Sequence, residues 1–165
     1  DALATEPADT DEFLISDGGV LKRLDASLVG GGKVLQVVAG THATEVSTSS
    51  SSYVTTNITA SITPSATSSK VLIIANTSGR KETAASNGNY TIYKASSDLD
   101  STGNGFARVR DDAGGIFCNA PIVHLDSPST TSSTTYTMYM KSSSGSVFSS
   151  VSDSPSTIIL MEIGA

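Results

Sequence analysis

The 165-residue chain has no tryptophan, a single cysteine, two histidines and only ten lysine and arginine residues. Each shortage excludes something. Cys118 alone cannot form an intrachain bridge, so there is no disulfide framework. None is needed, because a chain of this length buries roughly 70% of its unfolded surface. The ten basic residues are dispersed and face sixteen acidic ones, giving a net charge of −6. The basic footprint of a nucleic-acid binder is therefore missing. No apolar run approaches the ~20 residues of a membrane span, so membrane insertion is not expected either. The opening DALATEPADTDE is acidic and polar, unlike a signal peptide. A first residue other than Met is expected of a processed chain or of a fragment of a longer one. Without tryptophan, a sugar-stacking platform would have to rest on Tyr or Phe.

What the chain has instead is hydroxyls: 29 Ser and 20 Thr, against 16% charged residues. Low charge and many hydroxyls also describe disordered stalks. Here, however, the apolar residues gather in short runs with strand-like spacing. Thr suits strands through its branched Cβ, so the composition reads as a β-rich protein with Ser and Thr on its outer faces.

The front of the chain carries EFLISDGGVLKRLD, residues 12–25. Phe13 and Ile15 share one face of the first strand and Leu14 takes the other. Asp17-Gly18-Gly19 supplies the positive φ angles of a tight hairpin turn. Val20, Leu21 and Leu24 bring the apolar content of the return strand. Residues 1–11 read as a linker, and Gly30-Gly31-Gly32 as a hinge between this hairpin and the rest.

Short strands then follow one another without a convincing helix. KVLQVVA (33–39) is nearly continuous in apolar residues. In VTTNITASI (54–62), Val54, Thr56, Ile58, Ala60 and Ile62 alternate with polar neighbours, which is the period of a half-buried strand. Pro64 ends it. SKVLIIANT (69–77) is apolar on both faces, as a central strand would be. YTIYKA (90–95), FARVR (106–110), IFC (116–118), PIVHLD (121–126) and VFSSV (147–151) are further strands. In TTYTMYMK (134–141), Tyr136, Met138 and Met140 share a side. TIILMEI (157–163) is again apolar on both faces and is expected to be central or buried in a subunit contact. Eight to ten such strands, punctuated by Gly, Pro, Ser and Asp, predict an all-β antiparallel sandwich or barrel.

Candidate chemistry is thin. His124 sits in a predicted strand, where a lone His is mostly structural, and Cys118 beside Phe117 reads as a small buried apolar residue. A Cys–His nucleophile pair would have to meet in space, and no local signature marks one. Asp111-Asp112 and the acidic start (Glu6, Asp9, Asp11, Glu12) lack the D-x-D-x-D-G spacing of a calcium loop and read as turn and surface charge. The glycine pairs have no Lys-Ser/Thr follow-on for phosphate. Three Asn-x-Ser/Thr sequons, at Asn57, Asn76 and Asn89, are expected by chance in a chain this rich in hydroxyls. No catalytic set, metal site or cofactor is therefore expected. Surface recognition remains. Residues 79–89, 96–105 and 127–133 are polar loops, suited to binding or simply to connection. Tyr93, Arg108 and Arg110 are the candidate contact residues, because Tyr and Arg dominate contact hot spots; a subunit interface would use them equally well.

Two stretches together resemble a known family. DTDEFLISDGGVLKRLDAS, with its Ser-Asp-Gly-Gly-x-Leu-Lys core, resembles a short module of tailed-bacteriophage fibre and other virion proteins. The chain from KVLQVV through SYVTTNITASITPSATSSKVLIIA to STIILMEI resembles the distal β-sandwich that often follows it. The resemblance implies a homotrimeric appendage on the virion surface. Residues 1–32 would be a linker and hairpin shaft, and residues 33–165 a jelly-roll-like β-sandwich knob. Phe13, Ile15, Val20 and Leu24 would pack against two copies of themselves. The implied role is non-enzymatic: a trimeric fibre or spike tip contacting other virion proteins and a host-surface glycan or protein. The alternatives are a capsid-decorating protein without a receptor and, third, a spike-borne carbohydrate-active enzyme. The acids that such an enzyme needs as a pair lie mostly in predicted turns here.

Overall fold

The computed structural model describes residues 12–25 and 34–164. The expected linker 1–11 and the Gly30–Gly32 hinge lie outside the described residues. The first two strands, β1 (Glu12–Asp17) and β2 (Val20–Asp25), form a two-stranded sheet of their own. Gly18 and Gly19 both take positive φ, 60° and 84°, the left-handed pair that a two-residue hairpin turn requires.

From Val34 the chain is all-β and antiparallel. Its main strands are β3 (Val34–His42), β5 (Val54–Ile62), β6 (Lys70–Asn76), β8 (Ser86–Lys94), β10 (Ala107–Asp111), β12 (Ile122–Asp126), β13 (Thr134–Ser142) and β15 (Ser156–Ile163). One sheet runs β12-β6-β15-β3 and the other β10-β8-β13-β5. Numbered one to eight in chain order, these strands read 1-8-3-6 and 2-7-4-5, the double Greek key of a jelly roll. The final strand is central, between β6 and β3, as its apolar character predicts.

Four shorter strands, β4 (Val46–Thr48), β7 (Ser78–Lys81), β11 (Ile116–Asn119) and β14 (Val147–Ser149), form a sheet in the order β11-β7-β14-β4. Each is the continuation in sequence of a strand in the β12-β6-β15-β3 sheet, so the two are halves of one long sheet with a crease. Buried hydroxyls join the halves. The Thr77 and Ser156 hydroxyls lie 2.8 Å apart, the Ser150 amide donates to Thr77 Oγ1 at 3.0 Å, and the Ser150 hydroxyl reaches Ser156 at 3.0 Å.

The core lies between the sheets. Ile58 and Ile62 of β5, Val71 and Ile73 of β6, Tyr90 and Ile92 of β8, Tyr136, Met138 and Met140 of β13, and Ile158 and Leu160 of β15 are all essentially inaccessible. The alternation expected of 54–62 and 134–141 is present in the burial of both strands. β5 carries a bulge opposite Met138, where Asn57 takes φ of 63°. Thr56 donates its hydroxyl to the Met138 carbonyl at 2.7 Å and closes the gap. Two extra residues leave the side-chain alternation intact, so the apolar face stays inward across the bulge.

Three expectations are corrected. The predicted loop 79–89 contains most of β7 and the first four residues of β8. The predicted loop 96–105 contains a short strand, β9 (Ser97–Asp98), paired with β8. The strand expected over 147–151 stops at Ser149 and gives way to a 3₁₀ turn over Val151–Asp153. Close approach explains the first: a Cβ on Gly79 would lie 2.5 Å from the Tyr90 hydroxyl, and one on Gly88 would lie 2.5 Å from Val147. These glycines mark strand packing here, not loop flexibility.

Candidate functional site

The hairpin register decides what its side chains can do. Phe13 pairs with Leu24, Ile15 with Lys22 and Asp17 with Val20. Directly paired residues share a face, so the four predicted interface residues, Phe13, Ile15, Val20 and Leu24, stand together on one side. Phe13 and Ile15 are each 37% exposed and Val20 is 59% exposed. The other side carries Arg23 with Leu14 and Leu21, which are more exposed still, at 75% and 73%. Two ion pairs flank the turn and the open end, Lys22–Asp17 at 2.5 Å and Arg23–Glu12 at 2.8 Å. Both are solvent-exposed and contribute little. A two-stranded hairpin with an open apolar face is marginal in water by itself.

The three candidate contact residues lie on the outer face of the β10-β8-β13-β5 sheet. Arg108 pairs with Asn89 and Arg110 with Asn87, and both arginines point outward from edge strand β10, on either side of buried Val109. Arg110 Nε donates to Asp112 at 2.7 Å, an exposed pair of little energetic weight. Tyr93 lies four residues further along β8 than Asn89, roughly 13 Å away. The structure therefore places the three on one face without bringing them together. Between them, residues 95–105 are strapped onto the sheet. Asn89 donates to the Asn104 carbonyl, and the Thr91 hydroxyl donates to Asp98 at 2.6 Å. Asp100 organises the strap by accepting the Thr102 amide at 3.0 Å and the Gly105 amide at 2.6 Å. Burial works to raise the Asp100 pKa, but the hydrogen bonds from Thr102, Gly105 and Asn104 outweigh it and hold the carboxyl below its usual range.

Tyr93 belongs to a cluster that the sequence did not reveal. It stacks on Tyr139 with centroids 4.1 Å apart, and Tyr53 meets it edge-on at 6.0 Å. Lys141 Nζ sits 4.3 Å from the Tyr53 ring centroid and donates to the Gly103 carbonyl at 2.6 Å. Burial, then the Asp98 carboxylate and the neighbouring Tyr139 phenol, push the Tyr93 phenol upward, so it stays neutral. One face of Tyr93 is thus already taken by Tyr139. The only prior signal for Tyr139 was its outward phase relative to Tyr136.

Among the described residues no group of three His, Cys, Asp or Glu side chains could hold a metal ion. The His124 ring packs against Phe106 at 4.8 Å. Cys118 is half-buried, not fully buried as expected, and burial raises its thiol pKa, which disfavours the thiolate. It lines a shallow cavity of about 380 Å³ with Phe117, Asn119, Ser78 and Ser152, among others, and none of the lining residues is charged.

No family model matches the chain, and no curated protein matches it. Several solved structures are similar. The structure of infectious bursal disease virus Gt strain is 13% identical, with 94% of this chain and 43% of that chain covered and a TM-score of 0.49. The infectious bursal disease virus VP2 subviral particle is 12% identical over 93% of this chain and 37% of that one, with a TM-score of 0.47. The T=1 particles derived from infectious bursal virus give 11% identity over 94% and 42%, with a TM-score of 0.46. The chain spans about two fifths of the length of these solved chains.

Proposed function

We propose that this chain is a structural protein of a virus particle, an appendage built from three copies and used for attachment to a host surface. The observation that carries the reading is the hairpin itself: Phe13, Ile15, Val20 and Leu24 stand together on one face beside the Lys22–Asp17 pair, Leu14 and Leu21 are open on the other, and a lone two-stranded hairpin has no means to bury either set. Three such faces around a threefold axis bury one another. The Ser-Asp-Gly-Gly-x-Leu-Lys resemblance to bacteriophage fibre modules supports the same arrangement. The jelly-roll strand order is compatible with it, since viral capsid and lectin domains use that fold, but fold alone does not assign function. In this reading residues 1–32 are the linker and hairpin shaft and residues 33–165 the knob. The role is non-catalytic. Arg108 and Arg110 on the sheet edge, and Tyr93 beyond the strap, are the side chains offered to other virion proteins or to a host glycan or protein.

The test is the solution mass of the full chain by light scattering. The expected value is near three times 16.8 kDa. Phe13→Asp places a carboxylate on the axis in every copy and is expected to weaken assembly by on the order of a hundredfold, with the sandwich still folded by circular dichroism. A trimer unchanged by that substitution overturns the shaft.

A further inference from the structure

We propose that the outer face of the β12-β6-β15-β3 sheet is a second self-association surface, which packs against another copy of this chain. The proposal concerns the sandwich and stands whether or not the hairpins form a shaft.

The register lines up apolar side chains across all four strands. One row runs Val37, Met161, Leu72, Leu125 from β3 to β12. The next runs Ala39, Ile159, Ile74, Val123. The edge members are open to solvent: Val37 is 58% exposed, Leu125 51% and Val123 67%. A third row, Thr41, Thr157 and Asn76, gives a polar rim at one end, and Lys70 is the one charged residue, at the other. An apolar centre with a polar rim is the anatomy of an interface.

The opposite sheet shows that this chain can make an ordinary solvent face. There part of the outer face of β5 and β13 is built of hydroxyls that bond one another, Thr59 with Thr137 at 2.8 Å and Ser61 with Thr135 at 2.7 Å. A protein with 49 Ser and Thr residues that leaves one sheet face without a hydroxyl in its centre has a use for that face.

Three observations identify the occupant as a second copy. First, the apolar rows cross all four strands and their edge members Val37, Val123 and Leu125 are each more than half exposed, a contiguous apolar patch of the kind that marks interaction sites. Second, each chain carries a net charge of −6, so two copies repel wherever their acids meet, and this nearly uncharged face lets them approach. Third, its edge strands, β3 and β12, are open and apolar, a liability that a partner copy would cover.

The experiment uses the full chain with Val123→Glu and Leu125→Glu together. Both side chains are exposed, so the sandwich is expected to fold, which circular dichroism and urea unfolding check. Sedimentation over a range of concentrations should show self-association weakened at least ~100-fold. Oxidative footprinting of Met161 should show protection that rises with concentration in the native chain and vanishes in the double variant. Met161 labelled equally at all concentrations, or a double variant that assembles as the native chain does, overturns the proposal. Assembly sensitive to Phe13→Asp but not to the glutamates also overturns it and keeps the shaft. The reverse pattern keeps this surface and removes the shaft. A native chain that stays monomeric overturns both.

Discussion

Glu162 has no solvent exposure and yet carries a charge. It lies on the inner side of β15, at the end of the apolar series Ile158 and Leu160. Its carboxylate accepts the Ser65 amide and the Ser65 hydroxyl, each at 2.6 Å, and the Gln36 amide at 3.1 Å. Gln36 also donates to the Thr63 carbonyl at 3.0 Å, so one cluster ties the turn after β5 to both β3 and β15. Burial raises the Glu162 pKa, but the Ser65 bonds, with smaller help from Ser69 and Gln36, prevail and bring it from 4.5 to about 2. A folded-state pKa below the unfolded one means stabilisation that is complete above pH 4.5 and lost as the pH falls toward 2. Glu162→Gln should cost about 1–3 kcal/mol at pH 7 and flatten the loss of stability on acidification, read from urea unfolding at pH 7, 4 and 3. Equal acid sensitivity in the variant would assign that loss to other carboxylates. None of this was legible in the sequence. TIILMEI reads as apolar on both faces, and nothing local says that its one acid points inward to meet residues about a hundred positions away. The same holds for Asp126, which takes the Tyr136 hydroxyl at 2.7 Å and the Lys94 ammonium at 3.1 Å.

At the scale of elements, period two exposed the strands whose outer face is polar. It found 54–62 and 134–141 with their inward residues, because Thr and Ser alternate there with Ile, Ala, Tyr and Met. It failed at β7 and at the start of β8, where SGRK and SNGN have no apolar alternation. Those residues are strands because of distant partners. Lys81 is buried and donates to the carbonyls of Ser144 at 2.6 Å and Ser146 at 3.2 Å, while Tyr90 reaches past Gly79 to donate to the Phe148 carbonyl at 2.6 Å. The crease between the half-sheets has the same character. Thr77 is buried, and its hydroxyl serves Ser156 and the Ser150 amide where the ladder is interrupted. Thr77→Val keeps the shape and removes that partner. It should lower stability by about 2–3 kcal/mol in urea unfolding, with the far-ultraviolet spectrum unchanged. A loss under about 0.5 kcal/mol would mean that the crease holds by packing alone.

At the scale of the molecule, the sandwich class followed from strand count and spacing, but the pairing of first with last strand did not, since neighbours in a jelly roll are far apart in sequence. Apolar residues on both faces of 69–77 and 157–163 were read as the mark of central strands, and both strands are central. That reading accounts for their inner faces only. Their outer faces open to solvent beside Val37, Val123 and Leu125, and this is where assembly can be separated from charge. Copies with a net charge of −6 that join through a nearly uncharged sheet face and a largely apolar hairpin face lose little when salt is added and gain from screening of their mutual repulsion, since the Debye length falls from about 10 Å at 0.1 M to about 3 Å at 1 M. Self-association is therefore expected to hold or tighten as sodium chloride rises from about 0.05 to 1 M, and the unfolding midpoint to rise with protein concentration, because assembly binds only the folded chain. An assembly built on surface ion pairs behaves in the opposite way. Dissociation by salt, measured by sedimentation across that range, would shift the contacts from the apolar faces to the exposed pairs around Arg110 and Asp112.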